Sequence, residues 1–428
     1  MEQITKPHCG ARLDRLPDCR WHSSMFAIVA FGLLVCWSNA VGGLILAQLK
    51  ALGWTDNSTT ATFSAITTAG MFLGALVGGI IGDKTGRRNA FILYEAIHIA
   101  SMVVGAFSPN MDFLIACRFV MGVGLGALLV TLFAGFTEYM PGRNRGTWSS
   151  RVSFIGNWSY PLCSLIAMGL TPLISAEWNW RVQLLIPAIL SLIATALAWR
   201  YFPESPRWLE SRGRYQEAEK VMRSIEEGVI RQTGKPLPPV VIADDGKAPQ
   251  AVPYSALLTG VLLKRVILGS CVLIAMNVVQ YTLINWLPTI FMTQGINLKD
   301  SIVLNTMSMF GAPFGIFIAM LVMDKIPRKT MGVGLLILIA VLGYIYSLQT
   351  SMLLITLIGF FLITFVYMYV CYASAVYVPE IWPTEAKLRG SGLANAVGRI
   401  SGIAAPYAVA VLLSSYGVTG VFILLGAV

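Results

Sequence analysis

The sequence predicts an all-α polytopic membrane protein, with twelve transmembrane helices in two pseudo-symmetric six-helix bundles. Three observations predict it. Of 428 residues, 56% are apolar and only 12% charged, against about 25% charged in a soluble domain. The mean hydropathy is +0.69, which excludes a soluble fold of this size and a disordered chain alike. Two charged motifs also recur at nearly one offset, as expected of duplicated halves.

The apolar runs lie near 24–49, 60–81, 90–108, 112–137, 152–174, 181–202, 264–291, 302–323, 331–348, 352–378, 391–414 and from 418 onward. A spanning helix takes about 20 residues, so the first eleven are long enough. The first is too long for a signal-peptide core and lacks a small-residue cleavage site, so it reads as a helix. The last reaches Val428 after eleven residues, which reads as a helix cut short. The expected division is a tail at 1–23, a bundle at 24–202, a loop at 203–263 and a second bundle at 264–428.

Sidedness follows from lysine and arginine. With the N-terminus inside, 26 of the 31 basic residues fall in inside segments. Lys50, Arg181 and Lys299 fall outside, and Arg118 and Arg399 lie within spans. The net charge of +10 is thus explained by topology and not by nucleic acid, since no basic array interleaves with aromatics. The partners expected are a lipid bilayer and a small-molecule substrate, with the protein a monomer. Seven cysteines are scattered, five of them in apolar runs. Cys9 and Cys19 near His8 and His22 match no zinc spacing, so neither metal nor cofactor is expected.

Within the long loop, 214–231 reads as an amphipathic helix with Ala218, Val221, Ile225 and Val229 on one face. Glu219/Arg223 and Glu227/Arg231 are favourably oriented i,i+4 pairs. Pro236, Pro238, Pro239, Pro249 and Pro253 then read as a linker.

The duplication is carried by two motifs. Gly79-x3-Asp83-Lys84-x-Gly86-Arg87-Arg88 follows the second run, and Asp324-Lys325-x-Pro327-Arg328-Lys329 follows the eighth, 241 residues on. Glu138-x2-Pro141-x3-Arg145-Gly146 follows the fourth, and Glu380-x2-Pro383 with Arg389-Gly390 follows the tenth, 242 on. Sidedness alone would explain the basic residues but not the matched Asp, Glu and Pro. Paired six-helix repeats with a site between them are a secondary-transporter architecture. Carboxylates set against arginines at one surface form individually weak bridges, about 0–1 kcal/mol each, suited to a gate that opens in each cycle.

These motifs resemble the major facilitator superfamily over the whole chain. Pro203-Glu204-Ser205-Pro206-Arg207-Trp208-Leu209, followed by Gly213-Arg214-x2-Glu217-Ala218, is similar to its sugar-porter signature, and Arg118-x3-Gly122-x-Gly124-x-Gly126 fits too. The chain looks close to inner-membrane metabolite transporters of enteric bacteria. The resemblance implies a gate built from Gly79, Asp83, Gly86, Arg87, Arg88, Glu138, Arg145, Glu204, Arg207, Asp324, Arg328, Lys329, Glu380 and Arg389. It also implies a proton as coupling ion and the bacterial inner membrane as location. Some features depart from the pattern. No charge lies between Ser23 and Lys50, where proton-coupled sugar porters carry an Asp. The seventh run lacks their Gln-Gln-x-x-Gly-x-Asn stretch. The tenth has Cys371-Tyr372-Ala373-Ser374 where Gly-Pro-x-x-Trp is expected. Arg399 is similar to a basic residue of organic-anion members.

Ionisable groups within spans are costly and functional by default. Arg118 and Arg399 approach the midplane without a carboxylate at the same depth, and a guanidinium pairs bidentately with a carboxylate ligand. Asn157, Asn277, Gln280, Tyr281 and Asn285, with Tyr160, supply polar groups for the same ligand; Trp158 and Trp286 could stack on it. For Arg118 the alternative is a structural bond to carbonyls of the first helix or to Asn39, for Arg399 packing with its head reaching to the inner face, and for the others an interhelical hydrogen bond or core packing. With no acid in the first run, Glu95 and Glu138 are the nearest candidates for proton coupling, and His98 stands one turn from Glu95.

The expected function is secondary active transport, a proton-coupled symport of a sugar, sugar acid or other organic acid. The alternatives are a uniporter of a neutral sugar, suggested by the missing acid, and a nutrient sensor on the same scaffold. ATP-driven transport is disfavoured because no Gly-x4-Gly-Lys-Ser/Thr loop occurs. Enzymatic activity is disfavoured because His8, His22 and His98 join no nucleophile–base constellation.

Overall fold

The computed structural model describes residues 7–17, 19–141, 145–240, 253–323, 325–349, 351–383 and 386–427, and these contain helices and no strand. A short helix, α1 (Cys9–Asp14), precedes the first span, which consists of α2 (Arg20–Val35) and α3 (Gly42–Ala51). Then follow α4 (Asn57–Thr85), α5 (Arg87–Ala106), α6 (Met111–Tyr139), the pair α7 (Arg145–Asn157) and α8 (Ser159–Leu170), and α9 (Ala176–Tyr201). The connecting region holds α10 (Pro206–Ser211), α11 (Tyr215–Thr233) and α12 (Tyr254–Leu257). The second half comprises α13 (Gly260–Thr293), α14 (Leu298–Met309) with α15 (Gly311–Val322), and α16 (Arg328–Ser347). It ends with α17 (Met352–Cys371), a π-helical segment Tyr372–Tyr377, α18 (Val378–Glu380) and α19 (Lys387–Ala427).

Nine helices among the described residues are long and apolar enough to span. The two broken spans, α2–α3 and α7–α8, and the division of α19 at Gly417 bring the elements to twelve, the last of them with ten described residues after Gly417. Gly417 has φ 63° and ψ −160°, a conformation open to glycine, and it separates the eleventh and twelfth spans.

Three apolar runs that read as continuous are interrupted, the first at a carbonyl taken by a distant arginine and the other two at prolines. After α2, Gly42 donates to Asn39 and not to Ser38, whose carbonyl accepts from Arg118 instead. Pro161 lacks the N–H that would pair with Asn157, which separates α7 from α8. Pro313 does the same to Met309 between α14 and α15.

Each half has its own apolar core. Leu44, Ile45, Phe63, Leu114 and Trp180 centre one cluster of the first half, and Leu283, Phe291, Leu362 and Tyr367 lie in that of the second. In the first half α4 and α6 touch backbone to backbone. A Cβ at Gly74 would collide with the Val123 carbonyl, and one at Gly126 with that of Met71. Close approach of this kind is how apolar helices gain packing energy where no hydrophobic drive separates protein from lipid. Exposed Leu76, Ile80, Leu192, Ile337 and Leu353 form the lipid-facing surface.

The connecting region is amphipathic as read, with two differences. Met222, not Val221, takes the fully buried position beside Ala218, Ile225 and Val229, while Val221 is half-buried. Glu219 pairs with Arg223 at 2.6 Å. Arg231 turns its Nε to the Glu227 backbone carbonyl at 3.4 Å, so the second expected pair does not form between side chains. The apolar face of α11 is covered by α1 through Cys9, Leu13 and Leu16.

Candidate functional site

A cavity of about 240 Å³ lies between the two halves. The first half lines it with Asn39 from the break after α2, Met71 of α4, Phe133 of α6, Asn157 of α7 and Tyr160 of α8. The second half contributes Gln280 and Tyr281 of α13 and Arg399 of α19. Arg399 is the one ionised side chain on this wall among the described residues, and its Nη1 is buried without a hydrogen-bond partner. Asn157 gives its amide hydrogens to Ser153, on its own helix, at 2.8 Å. Tyr160 packs edge-on against Tyr367, with ring centroids 5.4 Å apart.

Of the seven expected ligand residues, Asn157, Gln280, Tyr281 and Arg399 reach the cavity; Arg118, Asn277 and Asn285 do not. Arg118 is 1% exposed. Its Nη1 donates to the Ser38 carbonyl at 2.7 Å, its Nε to Thr67 Oγ1 at 3.2 Å, and its guanidinium lies 4.6 Å from the Phe63 ring centroid. The broken first span supplies the carbonyl that an unbroken helix would withhold. Asn277 donates to the Leu273 carbonyl at 2.7 Å. Asn285 lies buried against Gly42, beside Arg118. Trp286 is fully buried in an apolar cluster and Trp158 meets Phe310 edge-on. Cys36, Ser153 and Ser159 line the cavity without having been singled out in the sequence, and Asn39, considered there only as a partner for Arg118, lines it too; the polar pair Ser38–Asn39 inside an apolar run was the one available signal.

The cavity is sealed toward one end. There a Cβ at Gly43 would strike the Ile284 carbonyl, so α3 and α13 meet backbone to backbone. Asn57 donates to Ser414 Oγ at 3.0 Å, and Asn305 to Ser164 Oγ at 3.1 Å, joining the halves on the same side. The charged motifs sit at the opposite, basic end. Arg87 bridges Asp83 at 2.7 Å and Glu138 at 2.9 Å. Glu204 Oε1 accepts from the backbone N–H groups of Arg87 at 2.7 Å and Arg88 at 3.2 Å, capping α5, where a carboxylate also meets the positive end of the helix dipole. Gly86 has φ +98° and its α-carbon faces that carboxylate so closely that a Cβ would overlap it. Arg88 donates to the Trp199 carbonyl, and Arg207 pairs with Asp14 at 2.9 Å. In the second half Arg328 holds Glu380 with Nε at 2.9 Å. Lys329 is exposed, Gly79 faces open space and Arg389 is half-buried. Asp324 and the side chain of Arg145 lie outside the described residues. The ion pairs Asp83–Arg87–Glu138 and Arg328–Glu380 are each formed within one half.

Glu95 and His98 are both fully buried on α5 and do not touch the cavity.

Helical halves meeting at a closed end around a central polar cavity define a multi-pass membrane transporter. The chain belongs to the Major Facilitator Superfamily, which residues 26–406 match. Over 429 residues it is 44% identical to the inner membrane metabolite transport protein YdjE of Escherichia coli K12, covering 100% of this chain and 94% of that one. It is 25% identical over 403 residues to the niacin transporter NiaP of Acinetobacter baylyi, covering 93% and 89%. In fold it is similar to the E. coli xylose transporter XylE in a partially occluded inward-open conformation, with a TM-score of 0.72, 18% identity and coverage of 95% and 97%.

Proposed function

We propose that the protein is a proton-coupled symporter of a small organic acid, working by alternating access with its basic end and N-terminus in the cytoplasm of a bacterial inner membrane. The observation that carries the reading is the cavity wall: among the described residues it has one guanidinium, Arg399, with an unpartnered Nη1 and no facing carboxylate. A lone cation in such surroundings is costly until an anion joins it, and a carboxylate fits the guanidinium fork. Asn39, Asn157, Gln280 and Tyr281 offer hydrogen bonds around it, and Phe133 and Tyr160 offer flat apolar surface. The name of the relative NiaP supports the same class, since niacin carries a carboxylate. The close seal between α3 and α13 at the far end supports reading this as the state open toward the cytoplasm.

The test compares matched acid and neutral ligands in proteoliposomes: nicotinate against nicotinamide, and D-glucuronate against D-glucose. A charge-assisted bond contributes about 1.5–3 kcal/mol, so Arg399→Ala raises the half-saturation for the acid roughly ten- to hundredfold. Arg399→Lys restores part of the loss, because an ammonium lacks the planar fork. Transport of the neutral member alone, or equal weakening of both, would return the protein to the neutral-sugar class.

A further inference from the structure

Behind the cavity lies a buried ionisable cluster that makes no contact with it except through Cys36. Glu95 Oε2 and His98 Nδ1, one turn apart on α5, face each other at 3.6 Å, too far for a hydrogen bond, and neither atom has another partner among the described residues. On the cavity side, Cys36 directs its Sγ to Glu95 Oε1 at 3.7 Å. On the other side, His98 Nε2 lies 2.7 Å from Ser38 Oγ, and the Ser38 carbonyl accepts from Arg118. The groups facing the pair are therefore Cys36 from the break after α2 and, through Ser38, Arg118 from α6. The other helices packed on α5 carry ionisable groups only near their ends: Asp83 and Lys84 on α4; Glu177, Arg181, Arg200 and Tyr201 on α9.

A carboxyl and an imidazole buried together, with Oε2 and Nδ1 facing each other at 3.6 Å, form a place where one more proton can be taken up and held between them. Protonation of the carboxyl reverses which of the two facing atoms donates, and burial makes that hydrogen bond count for more. We propose that Glu95 and His98 are the proton-carrying site of the transport cycle, loaded from the cavity past Cys36. This rests on the symport reading above. A proton from cavity water adds to the Glu95 carboxylate, whose Oε2–H then donates to His98 Nδ1, and it leaves by the same route in reverse; no electron moves. With Nδ1 accepting from Glu95, the neutral imidazole carries its hydrogen on Nε2 and donates to Ser38 Oγ; with the proton gone, Nδ1–H can face the carboxylate and Nε2 can accept from Ser38 instead. Ser38 sits in the break of the first span, between α2, which borders the cavity, and α3, which seals the far end against α13. Proton occupancy is thereby written into the hinge between the two.

Infrared acid-minus-alkaline difference spectra of the full chain in detergent test the site without any substrate. Subtracting the spectrum of Glu95→Gln from wild type should leave a protonated-carboxyl stretch. Glu95→Asp, the fallback should the amide fold poorly, should shift that band, and His98→Asn should move its titration midpoint. A subtraction that leaves no carboxyl band would overturn the proposal. Transport supplies the second reading, with nicotinate and D-glucuronate as probes. Glu95→Gln should retain exchange between equal pools while losing uphill accumulation driven by acid outside. Wild-type accumulation in Glu95→Gln overturns the site and leaves symport standing. If neither probe exchanges in wild type, the organic-acid reading fails, and the infrared result still decides the proton site.

Discussion

The two copies of the charged turn share a sequence pattern and differ in how they are held. In the first half, Arg87 is clamped by Asp83 and Glu138, Glu204 caps the helix that Arg87 begins, and Trp208 Nε1 donates to the Asp83 carbonyl at 2.7 Å. Three segments meet there, so the joint is fixed by hydrogen bonds as well as charge. In the second half, Arg328 meets Glu380, and the Arg328 carbonyl accepts from Tyr372 at 2.9 Å. Tyr372 opens the π-helical segment, a geometry found mostly at functional positions. The arginine and glutamate are 17% and 21% exposed in the first copy, against 31% and 49% in the second. Duplication supplies both turns with the same charges. The connecting region, which exists once, adds hydrogen bonds at the first, and at the second places Leu257 of α12 in an apolar cluster with Trp382 and Ala386.

The sharpest way to break this comparison is at Gly86 and its counterpart Pro327, 241 residues on. Gly86→Val places a β-branched residue at φ +98° and drives its Cβ into the Glu204 carboxylate, with an expected loss of roughly 2–3 kcal/mol or more. Pro327→Gly, where φ is −55°, costs under about 1 kcal/mol through the unfolded chain. Thermal unfolding of the two variants in detergent checks the contrast, and equal losses would mean that the first turn is no stiffer than the second.

Arg87→Ala against Arg328→Ala follows, with a smaller gap. Removing Arg87 strands a half-buried Glu138, about 1–3 kcal/mol. Removing Arg328 breaks its wetter pair with Glu380, about 0–1 kcal/mol, and the bond from its Nη1 to the Met323 carbonyl. Asp83→Asn should barely move stability, since Asp83 is 65% exposed and such bridges are weak. It should nevertheless slow transport while leaving probe binding nearly intact, as measured by comparing uptake rate with equilibrium binding of nicotinate. Wild-type uptake would remove Asp83 from the gate.

The sequence made the spans, the repeat and the charged turns legible because hydropathy and charge are read locally. It did not reveal the break after α2, since Cys36-Trp37-Ser38-Asn39 sits in an apolar run and the break is stabilised by Arg118, 80 residues away. Depth in the membrane was readable for Arg118 and Arg399 alike, but rotation about the helix axis was not. One faces a carbonyl and the other the cavity. The closeness of Glu95 to His98 followed from their spacing, whereas Cys36 and Ser38 reach them only through the fold. Cys9, Leu13 and Leu16 are spaced like one face of a helix, yet a six-residue helix gives too few turns to register as a pattern.

That short helix offers the mildest perturbation of the stiff joint, to which Arg207 ties it through Asp14. Arg12 of α1 lies between Glu219 and Glu226 of α11, with Arg15 also 2.7 Å from Glu226. Burial alone would raise both glutamates, but the hydrogen bonds from the arginines outweigh it and hold them below their ordinary 4.5. A depressed carboxyl stabilises above its unfolded value and loses that contribution as pH falls through the folded one. The clamp is therefore complete at neutral pH and loosens only in acid below about 4.5. Beneath it, burial and then the neighbouring Glu210 carboxylate push the Cys9 thiol up to about 12, so wild-type Cys9 should resist maleimide at neutral pH. Arg12→Ala should cost only about 1 kcal/mol yet open Cys9 to alkylation, read by mass spectrometry. In wild type, pepsin should reach Leu13 and Leu16 only once acid has loosened the clamp. Equal alkylation of Cys9 in wild type and Arg12→Ala would show that the apolar contacts of Leu13 and Leu16, and not the ion pairs, keep α1 in place.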